Sequence, residues 1–555
     1  MNIPAKARSI VASTIVLMAM IPATVTVAAP PTPEESCARL ANVPVPAAAI
    51  TLPTSGATVI SAVLTPAATN NDIQVAEHCK VNGAIKSVDP SAPDIRFELD
   101  LPTAWNGKAL MFGGGGFDGV LPPVAGNFSV GPGGQPIALT RGYATFGSDS
   151  GHQGSTKSAP SVGVDGSFGL NDEALRNYAG DALKKTRDTA IYLLTQRYGR
   201  TPMRSYYIGG SNGGREGFAI IERWPQDFDG VIIAYPYWNA GTVAMAFGRF
   251  TRAFAQPGAY PNAAKQALLV NAVTAACDGL DGVKDGVISN VGACKFDIAS
   301  LRCAGGADTG DTCWSDAQIA AIKAYDDPVS FDYRKGGETT YPGWPVLSGA
   351  DIRGQIGTDA PASPAPAGMG GTSVYWDQLV RYAITRDPGY NFLQFDPQNP
   401  GIYQQRVDYV INMLDVTGTD LAAFKGRGGK LLMVHGLADP IVSPRSTIDY
   451  WNRLNSKMGS QAVNDFARFY TVPGYGHGAG GRSIFKASWD SLTALDDWVE
   501  KGMAPTRQIV ADSNDATKGR TRPLCEYPTW PKYNGSGDVN AAASFTCVAP
   551  AEAAR

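Results

Sequence analysis

Charge is scarce and unbiased in this chain: Asp, Glu, Lys and Arg make up 17% of its 555 residues, and 47 basic groups nearly balance 50 acidic ones. There is no basic run, so nucleic acid or an anionic membrane surface would meet no electrostatic footprint. Beyond the N-terminal stretch no segment is long and apolar enough to cross a bilayer, and no internal repeat is visible. With 44% hydrophobic residues the chain is too apolar for disorder and too long for a small disulfide scaffold. Histidine is also rare, with four in all, so any imidazole chemistry has few candidates.

What is abundant points elsewhere. The 63 glycines and 39 prolines imply a loop-rich body, and the cysteines form an even set of eight: Cys37, Cys79, Cys277, Cys294, Cys303, Cys313, Cys525 and Cys547. Such a set is either reduced thiols or paired bridges, depending on compartment. Lys6 and Arg8 precede an uncharged stretch, 9–29, that ends in the small residues Val27, Ala28 and Ala29. That order predicts a secretory signal peptide over 1–29 and an exported mature chain, secreted or periplasmic, with oxidised cysteines. The other reading, a membrane anchor, is disfavoured by Ser13, Thr14, Pro22, Thr24 and Thr26 within the stretch.

Strands are predicted at 95–101, 108–112, 142–148, 205–208, 230–235, 430–434 and 467–472, with helices at 171–198, 215–223 and 446–458. Strands alternating with helices imply a parallel sheet covered on both faces. The alternation stops for nearly two hundred residues and then returns. The predicted organisation is therefore an α/β domain over 30–238 and 420–555, with 239–419 inserted as a lid of helical pieces.

The chemistry gathers around Gly209-Gly210-Ser211-Asn212-Gly213. A predicted strand enters this turn and a helix leaves it, the context of a nucleophile elbow, where a strained serine needs small neighbours on both sides. In the order Ser, acid, His, the base must follow the serine and the acid. His477, in a loop after the last strand, meets that order; His78 and His152 precede the serine, and His435 lies in the returning strand. The acid is Asp439, a few residues beyond that strand, rather than Asp415 or Asp420 at its other end. Two backbone donors for an oxyanion are Asn212, and Gly116 or Gly115 in the turn Gly113-Gly114-Gly115-Gly116. That turn lacks the Gly-Lys-Ser/Thr ending of a phosphate loop.

These residues resemble the tannase and feruloyl esterase family, which also contains a terephthalate-monoester hydrolase. The likeness runs from Leu101-Pro102-Thr103-Ala104-Trp105-Asn106-Gly107 through Gly151-His152, Ser211 to Glu216 and His435 to Asp439, to Thr521-Arg522-Pro523-Leu524-Cys525 and Tyr533-Asn534-Gly535-Ser536-Gly537-Asp538. It implies an α/β-hydrolase fold with an inserted lid, and the triad Ser211, Asp439 and His477. Family members usually carry a cysteine just before the serine and another just after the histidine, bridged to each other. This chain has Gly210 and Gly478 there. The remaining cysteines then fit four bridges, Cys37–Cys79, Cys277–Cys294, Cys303–Cys313 and Cys525–Cys547, leaving the geometry between serine and histidine to packing.

The segment from Cys277 to Val287 places three aspartates within eight positions, an arrangement that hard cations favour. Resemblance to the family's lid loop implies a structural calcium held by Asp278, Asp281 and Asp285 and the carbonyls of Val283 and Val287; no organic cofactor is implied. The implied activity is serine-dependent hydrolysis of aromatic carboxylic esters, feruloyl or galloyl among them, small or polymer-linked. The substrate wall would include Tyr375, Trp376, Phe392 and Phe395. Terephthalate monoesters are the alternative substrate, made less favourable because no cation stands at 365–371, with Arg353 and Arg381 only flanking it. A further alternative is a non-catalytic binding protein on the same fold.

Overall fold

The computed structural model describes residues 1–7, 9, 12, 31–70, 73–128, 130–131, 136–335, 338–478 and 482–550. Most of the predicted signal peptide, residues 8, 10, 11 and 13–29, lies outside the described residues. Among those described, no helix is long and apolar enough to cross a membrane.

Ten strands build the central sheet: β1 (Pro44–Val45), β2 (Ala57–Thr65), β3 (His78–Ile85), β4 (Ile95–Pro102), β5 (Lys108–Phe112), β6 (Ala144–Ser148), β7 (Arg204–Gly210), β8 (Gly230–Ala234), β9 (Lys430–Gly436) and β10 (Ala467–Val472), in the spatial order β1-β2-β3-β4-β6-β5-β7-β8-β9-β10. From β6 to β10 every neighbouring pair is parallel. From β1 through β4 to β6 every pair is antiparallel. The sheet is thus mixed, correcting the expectation of a purely parallel one. Between β2, β3 and β4 no helix carries the chain back across the sheet, so each strand returns beside its predecessor.

The central strands read as unbroken apolar runs because both faces are covered. Val231, Ile233, Leu431 and Met433 face one core, with Phe218 of α2 (Asn212–Arg223) and the neighbouring helix α1 (Ala182–Tyr198). The alternate residues Ile232, Ala234, Leu432 and Val434 face a second core, with Leu492, Leu495 and Trp498 on the opposite side. The predicted helix over 171–198 is broken. A short helix at Asp172–Arg176 passes through a wide turn, and Gly180, at φ 141°, interrupts it before α1 begins. A Cβ at Gly180 would stand 2.8 Å from the Arg223 guanidinium, so the kink also makes room for a neighbouring side chain.

The segment between β8 and β9 adds no strand to this sheet; its apolar core around α3 (Ala240–Phe254) is shared with Phe117, Phe168, Leu175 and Tyr178 of the α/β domain. It contains an antiparallel pair that sequence patterning did not indicate, Val329–Lys335 with Glu338–Tyr341. The four cysteine pairs implied by the family resemblance are all formed, and no described cysteine is free.

Candidate active site

Strand β7 runs into Ser211, which adopts φ 58° and ψ −121°, and α2 starts at the next residue. This sharp reversal needs bare glycines beside it: a Cβ on Gly209 would lie 2.4 Å from the Gly213 carbonyl, and one on Gly213 would lie 2.7 Å from that of Gly114. The elbow pushes the serine hydroxyl beyond the carboxyl edge of the sheet, where the loops after β9 and β10 also end. His477 arrives on the second loop, with Nε2 2.9 Å from Ser211 Oγ and Nδ1 2.7 Å from Asp439 Oδ2.

Asp439 is fully buried yet well furnished. Its Oδ1 accepts the backbone N–H groups of Ile441 at 2.7 Å and Val442 at 3.0 Å. Burial alone would raise its pKa, but the imidazoles of His477 and His435 outweigh it and hold the carboxyl below its ordinary range. His435 Nε2 stands 3.3 Å from Asp439 Oδ2 and 3.0 Å from the Val442 carbonyl, and its Nδ1 is 2.8 Å from Thr447 Oγ1. His435 is therefore a support for the acid, a role the sequence pattern did not disclose. The rejected acids have other work: Asp415 caps α3 through Gly241 N–H at 2.6 Å and Thr242 Oγ1 at 2.7 Å, and exposed Asp420 turns back on Ala422 N–H at 3.2 Å.

The glycine turn after β5 lies against the elbow, and Gly115, Gly116, Ser211 and Asn212 border one cavity of about 310 Å³ with His477. Gly116 has φ +62°, and a Cβ there would stand 2.3 Å from the Gly163 carbonyl. A buried polar network that sequence reasoning missed fixes this turn. Glu216 accepts from Gly114 N–H at 3.2 Å and from Tyr207 Oη at 3.0 Å. Tyr178 Oη is 3.1 Å from both the Gly116 carbonyl and Asn212 Oδ1. The Asn212 amide donates to Asp118 at 2.7 Å, and Arg215 Nε donates to Asn212 Oδ1 at 2.7 Å. Burial, reinforced by the Glu216 charge, raises the Asp118 carboxyl well above its usual range. Two of these residues, Arg215 and Glu216, directly follow the Ser-Asn-Gly-Gly motif; Tyr178 and Asp118 carry no local signal.

A family model described as tannase and feruloyl esterase matches residues 79–548. The chain belongs to the tannase and feruloyl esterase family. An uncharacterized esterase of Agrobacterium fabrum is 40% identical over 551 residues, covering 96% of both chains. A mono(2-hydroxyethyl) terephthalate hydrolase of Piscinibacter sakaiensis is 33% identical, with 87% of each chain covered. The solved structure of feruloyl esterase B from Aspergillus oryzae has a TM-score of 0.75, covers 93% of this chain and all of that one, and at 24% identity speaks for the fold. This family member is accordingly a carboxylic ester hydrolase of the α/β-hydrolase fold.

The walls of the esterase's cavity differ from the expected set. Tyr375, on α4 (Gly371–Gln378), lines it. Trp376, Phe392 and Phe395 do not: all three are buried, and Trp376 packs on Phe395 at 5.5 Å. Their places are taken by Phe117, Tyr237, Phe247, Ile441 and Val442. Phe117 meets Tyr375 edge-on at 5.0 Å. Neither flanking arginine reaches the cavity: Arg353 is paired with Asp351 at 2.7 Å and Arg381 with Asp377 at 3.1 Å.

The aspartate loop lies away from this cavity, closed at its base by Cys277–Cys294. Asp278 accepts from Gly286 N–H at 3.0 Å and Asp281 from Val283 N–H at 3.1 Å, and Asp281 Oδ2 is buried without a hydrogen-bond partner among the described residues. Burial raises the pKa of both carboxyls. Asp285 is bound by the Arg522 guanidinium. Among the described residues no group of three or more His, Cys, Asp or Glu side chains is gathered as a ready metal cluster. The orphaned Asp281 oxygen suits a hard cation, while Asp285 already has its counter-charge.

Proposed function

We propose that this esterase cleaves esters of neutral aromatic acids, such as hydroxycinnamoyl or galloyl esters, through an acyl-enzyme on Ser211. The observation that carries the reading is the Asp439–His477–Ser211 line, bonded at 2.7 and 2.9 Å, opening on an uncharged, aromatic-walled cavity of about 310 Å³. Asp439 keeps the proton of His477 on Nδ1, so Nε2 is the lone pair that accepts the Ser211 proton. The serine oxygen forms a bond to the ester carbonyl carbon, and the oxyanion is met by the N–H of Asn212 and that of Gly116 or Gly115. His477 then donates its proton to the departing alkoxide. A water repeats the sequence and releases the acid.

Three tyrosines, Tyr235, Tyr237 and Tyr375, line the acyl cavity. Tyr237 and Tyr375 line it beside Phe117 and Phe247, and phenols there would suit hydroxyl or methoxy substituents on an aromatic ring. Terephthalate monoesters are the second reading, favoured by the 33% identical relative. Their free carboxylate would enter a cavity with no Lys or Arg among its described walls, at a cost in desolvation that neutral acyl groups avoid. A purely binding role leaves the bonded triad without a purpose.

The four bridges suit a secreted or periplasmic setting. A calcium ion bound through Asp278 and Asp281, with Asp285 and the carbonyls of Val283 and Val287, would neutralise the loop and brace the inserted segment as a lid. Assay of methyl ferulate, methyl gallate and a terephthalate monoester with wild type and Ser211→Ala tests the reading. Ferulate or gallate turnover that the alanine abolishes is expected; preference for the terephthalate monoester, or turnover surviving in Ser211→Ala, overturns it.

A further inference from the structure

Ser211 and His477 sit on loops that no disulfide joins, since all eight cysteines are bridged elsewhere. What lies between the loops instead is one aromatic side chain, Tyr235. It follows β8 directly, in the left-handed backbone region at φ 33°, and is buried. Its backbone is fixed from the far side by its N–H, which donates to the Val434 carbonyl at 2.7 Å, while Ser211 N–H donates to the preceding carbonyl, that of Ala234, at 3.0 Å.

The ring fills the gap between the two loops. A Cβ built on Gly210, next to the nucleophile, would be 2.8 Å from Cε2, Cζ and Oη of Tyr235. A Cβ built on Gly478, next to the base, would be 3.2 Å from the same Oη. The ring centroid is 4.7 Å from that of His477 and 6.2 Å from that of Tyr475, so the phenol also backs the imidazole. A bridge needs its two Cβ atoms about 3.8 Å apart with nothing between them. Here a phenol occupies the space: a side chain on Gly210 would meet the ring at 2.8 Å, and one on Gly478 would crowd its Oη at 3.2 Å.

We infer that Tyr235 is the positioning residue that sets the Ser211–His477 separation, a packed ring doing without covalency what a cross-link between residues 210 and 478 would do. Position 235 and the pair 210/478 are therefore mutually exclusive solutions, coupled through one volume. The ring acts through His477 and also forms part of the cavity wall beside Ser211, a wall that a small acyl group does not fill. Its loss should lower kcat, because near-attack geometry degrades, while leaving KM nearly unchanged.

The test uses p-nitrophenyl acetate, whose small acyl group makes the outcome independent of the aromatic-acyl reading. Tyr235→Ala is expected to lose kcat by about ten- to a hundredfold with little change in KM, and Tyr235→Phe, which keeps the ring, to stay within about threefold of wild type. In a second arm, Gly210→Cys/Gly478→Cys with Tyr235 intact is expected to show two titratable thiols after oxidation. The same pair combined with Tyr235→Ala is expected to show none and to recover kcat, reversibly lost on reduction. Unchanged kcat in folded Tyr235→Ala overturns the inference, as does bridge formation in the double variant with Tyr235 in place. Should Tyr235→Ala not fold, the thiol count of the double variant decides alone.

Discussion

His477 Nε2 lies 2.9 Å from Ser211 Oγ across 266 residues of chain. The two meet because β7 and β10, on either side of β8 and β9, end at the same edge of a parallel sheet. Their alignment then rests on the loops' own packing and on Asp439, which holds the far nitrogen at 2.7 Å.

Removing the nucleophile should abolish turnover, and neutralising the acid should nearly do so. Ser211→Ala is expected to cut kcat by about 10⁴-fold or more on any accepted ester, and Asp439→Asn by about 10⁴-fold through the wrong imidazole tautomer. Steady-state kinetics with circular dichroism to verify folding checks both; an Asp439→Asn enzyme within tenfold of wild type would contradict the assignment.

Gly116 has no room for a methyl group, given φ +62° and the Gly163 carbonyl 2.3 Å from where its Cβ would stand. Gly116→Ala should displace the donor turn and lower kcat by about 10²-fold, whereas Gly115→Ala, with nothing within 4 Å, should cost far less. Equal losses in the two variants would remove Gly116 from its special place.

The phenols of Tyr237 and Tyr375 should read the substituents of the acyl ring. Each Tyr→Phe change is expected to lower kcat/KM for methyl ferulate about three- to tenfold while leaving methyl cinnamate, which lacks ring oxygens, nearly unaltered. A parallel loss on both esters would mean that the hydroxyls serve packing and not selection.

Asp100 is buried, and burial reinforced by the Glu98 charge pushes its pKa up to about 7. In the unfolded chain it titrates near about 3.9. Between these values the folded state holds the proton more tightly, so stability falls as pH rises from about 4 to 7. Asp100→Asn should therefore flatten the fall in Tm over that range, measured by calorimetry at several pH values; a slope identical to wild type would show that the carboxyl is ionised throughout.

If the aspartate loop binds calcium, chelation should lower Tm by several degrees, with recovery on adding calcium but not magnesium, since the flexible oxygen set suits the larger ion. Asp281→Asn should abolish the response. Elemental analysis without calcium, together with an unchanged melting curve in chelator, would dismiss the site.

Much of this was legible locally. The elbow announced itself because a strained serine demands bare neighbours in sequence, and the apolar runs of β8 and β9 are the mark of strands covered on both faces. The order of Ser211, Asp439 and His477, with Asp439 just beyond a buried strand, was enough to select one acid and one base.

Other features depend on residues distant in sequence and had no local mark. The β2 and β3 edge is antiparallel because no helix intervenes to carry the chain across, and 171–198 breaks at Gly180, where the kink leaves room for Arg223 of another helix. Tyr237 and Phe247 became the cavity wall, and Trp376, Phe392 and Phe395 core, because every aromatic stripe looks alike until its partners are placed. His435 and Tyr235 are the sharpest cases. The sequence by itself determined the fold class and the three residues that bond in line. Only the tertiary structure decided what holds them in line, since that is a matter of which side chain fills a gap between loops that hundreds of residues separate.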